Sequence, residues 1–209
     1  MSARRRVRAY IGLGANLGDA AATLAGAVTS LEALPGVRVD AVSRLYATAP
    51  WGVTDQPEFR NAVVGLDVTR RSSDPEAAAL ELLASLKRIE RQAGRQARTR
   101  WGPRELDLDL LLYGRNRIDV DRPPDARSVD ASIDQAKGAK RLEVPHRDLG
   151  ERLFVLAPLA DLAPRLVPPG WSESVATRRD TIARTEPAGS VRVVGEWDQQ
   201  SRRWRATRT

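Results

Sequence analysis

The chain has 209 residues, enough for one domain with a substantial core but too few for a second full domain. It contains no cysteine and a single histidine, which excludes disulfides, thiolate metal sites and a multi-histidine zinc centre, so any metal must rest on carboxylates. The formal charge of +7 is unevenly placed: residues 1–8 and 176–209 together contribute +8, and the body between them nets about −1. No apolar run approaches the roughly 20 residues of a membrane helix, and the arginine-rich start leads into a strand pattern without a signal-peptide core, so a soluble cytoplasmic protein is expected.

Arg8 to Leu13 reads as a first strand. Asp19 then opens an alanine-rich helix in which Leu24, Val28, Leu31 and Leu34 recur at helical spacing until Pro35-Gly36 stops it. Val37 to Tyr46 reads as a second strand, residues 47–58 as a Pro/Gly/Thr-rich loop, and Phe59 to Val68 as a third strand. Asp74-Pro75 starts a second helix and Gly94 ends it, with Ala79, Leu82, Leu86, Ile89 and Ala93 forming one apolar stripe. Leu106 to Tyr113 is a fourth strand, whose dense leucine content predicts a central position covered on both faces. This order, βαββαβ, predicts an α+β, ferredoxin-like sandwich with two helices on one face of an antiparallel sheet.

Residues 115–140 are polar, contain Pro123-Pro124, and read as a mobile inserted loop. Pro145 to Pro164 predicts an additional C-terminal helix packed by Leu149, Leu153, Leu156 and Leu159. The domain is expected to span residues 1–175, followed by a basic extension at 176–209 in which Val191 to Ala206 has the pattern of a hairpin. Composition gives that extension at most a weak electrostatic role toward an acidic partner, RNA or a membrane surface, with a solvated, functionless tail as the blander reading.

Asp107-Leu108-Asp109 is the most informative triplet. Residues i and i+2 of a strand face the same way, so both carboxylates project together while Leu108 enters the opposite face. Such a pair suits Mg²⁺, which takes its remaining ligands from water and substrate phosphates. The preceding stretch, residues 88–104, carries Arg88, Arg91, Arg95, Arg98, Arg100 and Arg104 against Glu90 alone, a local charge of +5. Arginine forks beside carboxylates point to ATP with magnesium; incidental acids on a polar strand and a solvated, RNA-binding loop are the plainer alternatives. Glu90 lies near the buried stripe of its helix, where pairing with an arginine would be structural. Gly12, Gly14 and Gly18 are spaced G-x-G-x-x-x-G, which does not match the dinucleotide fingerprint.

The run R-W-G-P-R-x-L-D-L-D-x-x-L at Arg100 to Leu112 resembles the signature of the hydroxymethyldihydropterin pyrophosphokinases. The resemblance extends to Ala9-Tyr-Ile-Gly-Leu-Gly-Ala-Asn-Leu-Gly18, to Tyr46-Ala-Thr-Ala-Pro-Trp-Gly52 with Asp55-Gln-Pro-Glu-Phe-Arg-Asn61, and to Val144-Pro-His-Arg-Asp148 with Arg152-Leu-Phe154. It covers about residues 7–168, without the inserted loop or the tail. It implies transfer of diphosphate from ATP, the co-substrate, to 6-hydroxymethyl-7,8-dihydropterin by a monomer. Asp107 and Asp109 would hold two Mg²⁺ ions, and Arg95, Arg98 and Arg104 would complete the catalytic set. Arg100, Arg104, Leu110, Arg141, His146 and Arg152 would bind ATP. Trp101 and Phe154 would sandwich the pterin, with Thr48, Trp51, Phe59 and Asn61 lining its pocket and the glycine-rich segment packing beneath it. Departures from the family pattern include loop arginines spaced one residue further apart than the usual G-R-x-R, which bears on Arg98, Arg147 for a frequent aromatic, Ala49 for a frequent proline, and roughly twenty extra residues between Gly114 and the Val-Pro-His segment. The competing reading is a non-enzymatic ferredoxin-like RNA-binding module, against which stands the lack of an aromatic cluster on the strands.

Overall fold

The computed structural model describes residues 6–50, 55–70, 72–97, 102–132 and 141–207. Its centre is an antiparallel sheet built by β1 (Arg6–Ala15), β2 (Val37–Val42), β3 (Leu45–Thr48), β4 (Phe59–Thr69) and β5 (Asp107–Tyr113), in the order β5-β1-β4-β3 with β2 also on β4. Helices α1 (Ala20–Glu32) and α2 (Pro75–Gln92) cover one face. Both helices start where the capping residues predict: Asp19 accepts from the Ala22 N–H at 3.0 Å, and Asp74 from Glu76 at 3.0 Å and Ala77 at 3.3 Å. Alternate residues of the strands, among them Ile11, Val64, Leu66, Leu108 and Leu110, with Leu106 just before β5, are buried with Leu24, Leu31, Leu82 and Leu86 of the helices. The arrangement is the expected ferredoxin-like sandwich.

Five expectations need correction. The single second strand is broken in two at Ser43, whose N–H donates to the Val63 carbonyl at 2.9 Å while its hydroxyl accepts from the Val63 N–H at 2.9 Å. Strand β5 lies at an edge of the sheet, not at its centre. Its leucines are nevertheless buried on both sides, because a register shift opposite Tyr10 and Ile11 turns both Leu111 and Leu112 away from the helices and toward a second apolar cluster. The His146 N–H donates to the Leu111 carbonyl at 2.9 Å and so covers part of this edge. The additional helix, α3 (Leu153–Leu162), starts later than Pro145, leaving Leu149 in the turn before it.

The inserted segment is the fourth correction, as far as residue 132 and from Arg141 on, residues 133–140 lying outside the described residues, and the tail is the fifth. β6 (Ile118–Asp121) pairs with β7 (Arg141–Val144), and two 3₁₀ turns follow at Pro124–Ala126 and Val129–Ser132. Ile118, Ala126, Leu142 and Val144 join the main core, so four apolar residues in a polar sequence are enough to anchor it. The tail is no detached extension either. α4 (Val175–Ala183) packs on α3, and β8 (Val191–Asp198) with β9 (Arg203–Ala206) forms the expected hairpin, which continues the central sheet beyond β3. Among the described residues no helix is long and apolar enough to cross a membrane.

Truncating Ile118 to Ala is expected to destabilise the fold by about 2–5 kcal/mol in urea unfolding, the range for a buried large-to-small change. A change within about 0.5 kcal/mol, typical of a solvated position, would return residues 118–132 to the status of a loop.

Candidate active site

The strand alternation that buries Leu106, Leu108 and Leu110 against the helices presents Asp107 and Asp109 on the opposite face, at a cleft of about 380 Å³. Gly12 and Gly14 of β1 form part of its lining beside them. A Cβ at Gly14 would stand 3.1 Å from Asn61 Oδ1, and one at Gly12 3.4 Å from the Leu111 side chain, so bare backbone keeps this floor open. Across the floor, Asn61 Nδ2 donates to Thr48 Oγ1 at 2.8 Å, both residues being buried. Phe59 and Phe154 also line the cleft, as do His146 and Arg152. The Arg152 guanidinium sits 5.8 Å from the Phe154 ring centroid and pairs with Asp148 at 2.5 Å.

The two acids have different surroundings. Asp107 is bound by Arg95 and by Arg104, the latter at 3.1 Å. Burial works against its charge, but Arg104 and Arg95, with Lys87 behind them, outweigh that and hold it below the usual carboxylate range. Among the described residues no hydrogen bond or ion pair reaches the Asp109 carboxylate, although Arg122 acts on it through space. Arg122 is buried, its own charge penalised by desolvation.

Behind Asp107 lies a buried ionic network. Glu90, 1% exposed, receives Lys87 Nζ at 2.7 Å, Arg95 Nη1 at 2.9 Å and the Leu108 N–H at 2.7 Å. Lys87 also donates to the Leu108 carbonyl at 2.8 Å. Arg95 Nη2 reaches Asp130 at 3.0 Å, and Arg104 approaches the same carboxylate at 3.6 Å. Lys87, Arg95 and Arg104 thus balance Glu90, Asp107 and Asp130. Desolvation raises the Glu90 pKa against the pull of Lys87 and Arg95, whereas Arg95 is held above the usual guanidinium value because Asp107 and Glu90 exceed its desolvation.

Of the residues singled out from sequence, Thr48, Phe59, Asn61, Arg104, Asp107, Asp109, His146, Arg152 and Phe154 meet in one cleft. Three do not line it. Arg95 is consumed by the buried network, the Leu110 side chain points into the helix-facing core, and Arg141 pairs with Asp119 at 2.6 Å and Asp121 at 3.1 Å on the β6–β7 ribbon. Trp51, Arg98, Arg100 and Trp101 lie outside the described residues. A larger cleft of about 640 Å³ adjoins through His146 and Glu151, walled by the ribbon and residues 169–173, but the acid pair does not face it.

Three contributions escaped the sequence reading. Asn16 holds Arg104 by accepting from its N–H at 2.7 Å and donating its own to the Arg104 carbonyl at 3.0 Å, while its amide donates to Pro57 O at 3.0 Å. Asp130 comes from the insert, where an acid in a polar run carries no local signal. Glu186, Pro187, Ser190 and Val191, from the tail, line the cleft on the side of Thr48 and Phe59.

Glu90→Gln keeps the side chain's shape but leaves Lys87 without its buried counter-charge and removes one of the three carboxylates on Arg95. The expected loss is about 3–5 kcal/mol of stability by denaturant titration, the usual cost of breaking a buried pair from one side. A neutral result would mean the network is solvated rather than structural.

Comparison with known proteins agrees with this arrangement. Residues 10–164 match the family described as 7,8-dihydro-6-hydroxymethylpterin-pyrophosphokinase (HPPK). The chain is 42% identical over 186 residues to the 2-amino-4-hydroxy-6-hydroxymethyldihydropteridine pyrophosphokinase of Methylorubrum extorquens, covering 89% of this chain and 98% of that one. Its counterpart in Pseudomonas aeruginosa is 41% identical over 76% of this chain and 82% of its own, and that of Bacillus subtilis 36% over 92% of each. The wild-type HPPK-DHPS crystal structure of Plasmodium falciparum shares the fold at a TM-score of 0.69 with 13% identity, covering 99% of this chain and 51% of that longer one. A second structure of the same protein, with pteroate, gives 0.68 at 13% identity, with 99% of this chain and 48% of that one covered. The chain spans about half the length of those solved chains. Nothing in these matches supports the RNA-binding alternative. With the acid pair, the glycine floor and the Thr48–Asn61 pair set in one cleft, and with most of its length matched, the chain belongs to the 7,8-dihydro-6-hydroxymethylpterin-pyrophosphokinase family.

Proposed function

We propose that the chain transfers diphosphate from ATP to the hydroxymethyl oxygen of 6-hydroxymethyl-7,8-dihydropterin, giving AMP and the pterin diphosphate for folate synthesis. The observation that carries this reading is the single cleft in which two strand carboxylates stand across a glycine floor from a buried amide–hydroxyl pair. The floor admits a flat ring. Asn61 and Thr48 supply the donor and acceptor groups that a pterin edge requires, and Phe154, with Trp101 on the resemblance, supplies stacking faces.

The acid pair fits Mg²⁺. Both side chains are oxygen donors at the cleft, Asp109 is unengaged among the described residues, and no group of three His, Cys, Asp or Glu surrounds them there, so water and phosphate oxygens must complete the coordination. Bound at Asp107 and Asp109, two such ions would neutralise phosphate charge and polarise the bond that breaks. Arg95 acts by position: it fixes Asp107 from behind and does not touch substrate. Arg104, at the cleft and held by Asn16, is the described arginine best placed to draw charge from the transferring group. His146 and Arg152 serve the nucleotide phosphates, and Arg98 and Arg100 are assigned to them on the resemblance. Arg141 and Leu110 take no side-chain part in this account.

In the reaction the pterin oxygen forms a bond to the β-phosphorus as the bond from that phosphorus to the α–β bridging oxygen breaks, and the hydroxyl proton is released. Stabilisation comes from fixed groups and an in-line arrangement of the reactants. A monomeric, cytoplasmic enzyme is in keeping with this chemistry.

Mass analysis of products from ATP, Mg²⁺ and hydroxymethyldihydropterin should show AMP and the pterin diphosphate; ADP with a pterin monophosphate would overturn the assignment. Asp107→Asn and Asp109→Asn should each lower kcat by roughly 10²-fold or more, by analogy with the loss of one preorganised electrostatic partner, while pterin binding is retained. Asn61→Ala should weaken pterin binding by about 1–3 kcal/mol in calorimetry, the cost of leaving buried partners unsatisfied.

A further inference from the structure

We infer, on the diphosphate-transfer reading above, that the C-terminal hairpin is a positioning element of the pterin site: it forms the outer wall of the cleft and holds Thr48 in register with Asn61. The match to the family model ends at residue 164, and the hairpin strands begin at Val191, so that model leaves this element out.

Strand β3 has only four residues, and its inner edge pairs with β4 through Tyr46 opposite Asn61 and Thr48 opposite Phe59. Its outer edge pairs with β8, Thr48 lying opposite Val191 and Tyr46 opposite Val193. The Ala49 N–H extends this ladder to the Ser190 carbonyl at 3.4 Å. Without β8, a four-residue strand would form the sheet's edge with its outer N–H and C=O groups unpaired, and short edge strands fray. Thr48 Oγ1 accepts from Asn61 Nδ2, so any shift of β3 also releases the amide that reads the pterin edge.

The same segment presents Glu186, Pro187, Ser190 and Val191 directly to the cleft. Its anchors are not among the residues that line the cleft. The indole N–H of Trp204, a buried residue, donates to the Ser43 carbonyl at 2.8 Å, at the break between β2 and β3, and Trp204 packs edge-on against Trp197 with ring centroids 4.7 Å apart. Arg202 pairs with Glu32 of α1 at 2.5 Å. Closer in, Arg192 grips Glu58 with contacts of 2.8 and 2.7 Å, linking β8 to the segment just before Phe59. A hairpin fastened in this manner is part of the scaffold, and the wall it carries is set with it.

The test uses two variants of the full chain: Glu186→Ala with Val191→Ala, which alters the wall, and Trp204→Ala, which loosens the anchor without touching the cleft. Binding of hydroxymethyldihydropterin is read by its fluorescence in the presence of Mg²⁺ and a saturating α,β-methylene analogue of ATP, and binding of the analogue alone by calorimetry. Both variants should weaken pterin binding about tenfold while analogue affinity stays within about twofold. Pterin affinity within about twofold of the parent in the wall variant would overturn the inference, as would equal weakening of both ligands in the two variants. If Trp204→Ala does not fold, the wall variant alone decides. Failure of the parent chain to bind the pterin at all would instead refute the diphosphate-transfer reading, and this inference with it.

Discussion

A carboxylate with almost no access to solvent organises the catalytic side of this protein. Glu90 costs free energy to bury and is tolerable only because Lys87, Arg95 and the Leu108 N–H all converge on it. Those three partners tie the end of α2 to the first residues of β5. Because Arg95 then reaches forward to Asp107, the charge state and position of a cleft carboxylate depend on a residue that the cleft does not expose. Removing any one member would leave the others with unbalanced charge in a poorly hydrated interior, which explains why cations and anions in this network match in number.

The division of labour between the two faces of β5 follows from strand geometry alone. Leu106, Leu108 and Leu110 pack against helices, and the intervening acids have nowhere to go except the opposite side. Gly12 and Gly14 extend the same alternation in the neighbouring strand, where the absence of side chains makes room for a ligand. The cleft is therefore a consequence of sheet periodicity, with loops and the tail adding its sides. This also accounts for the modest identity at which the fold persists: the alternation constrains side-chain class, not particular residues.

Much of this was legible in the sequence because local chemistry encoded it. The caps at Asp19 and Asp74, the helix stripes and the Asp107–Asp109 spacing depend on neighbours within a turn or two. What was not legible depends on pairings across the chain. Dense leucine in β5 signalled burial on both faces correctly, yet an edge strand covered by His146 and the second cluster has the same pattern as a central one. The insert read as mobile because its polar majority hid Ile118 and Ala126, two residues that decide its docking. The hairpin pattern at Val191 to Ala206 was visible, but not its partner, since nothing in those residues names β3. Asn16 likewise stood only as part of the glycine-rich segment of the resemblance, and only the folded chain brings the Arg104 backbone to it.

The pairing of β3 with β8 also has a consequence for the order in which the protein assembles. Residues 45–48 must wait for residues 191–195, nearly the whole domain later in synthesis, before their outer edge is satisfied. Contacts so distant in sequence form late, after the entropy of closing the intervening chain has been overcome. During that interval the nascent sheet ends in an unpaired strand, the kind of surface that recruits strands from other chains. The bare edge is short, and the charged Arg44 immediately precedes it, a form of protection that suits a strand obliged to stay open until its own chain returns to close it.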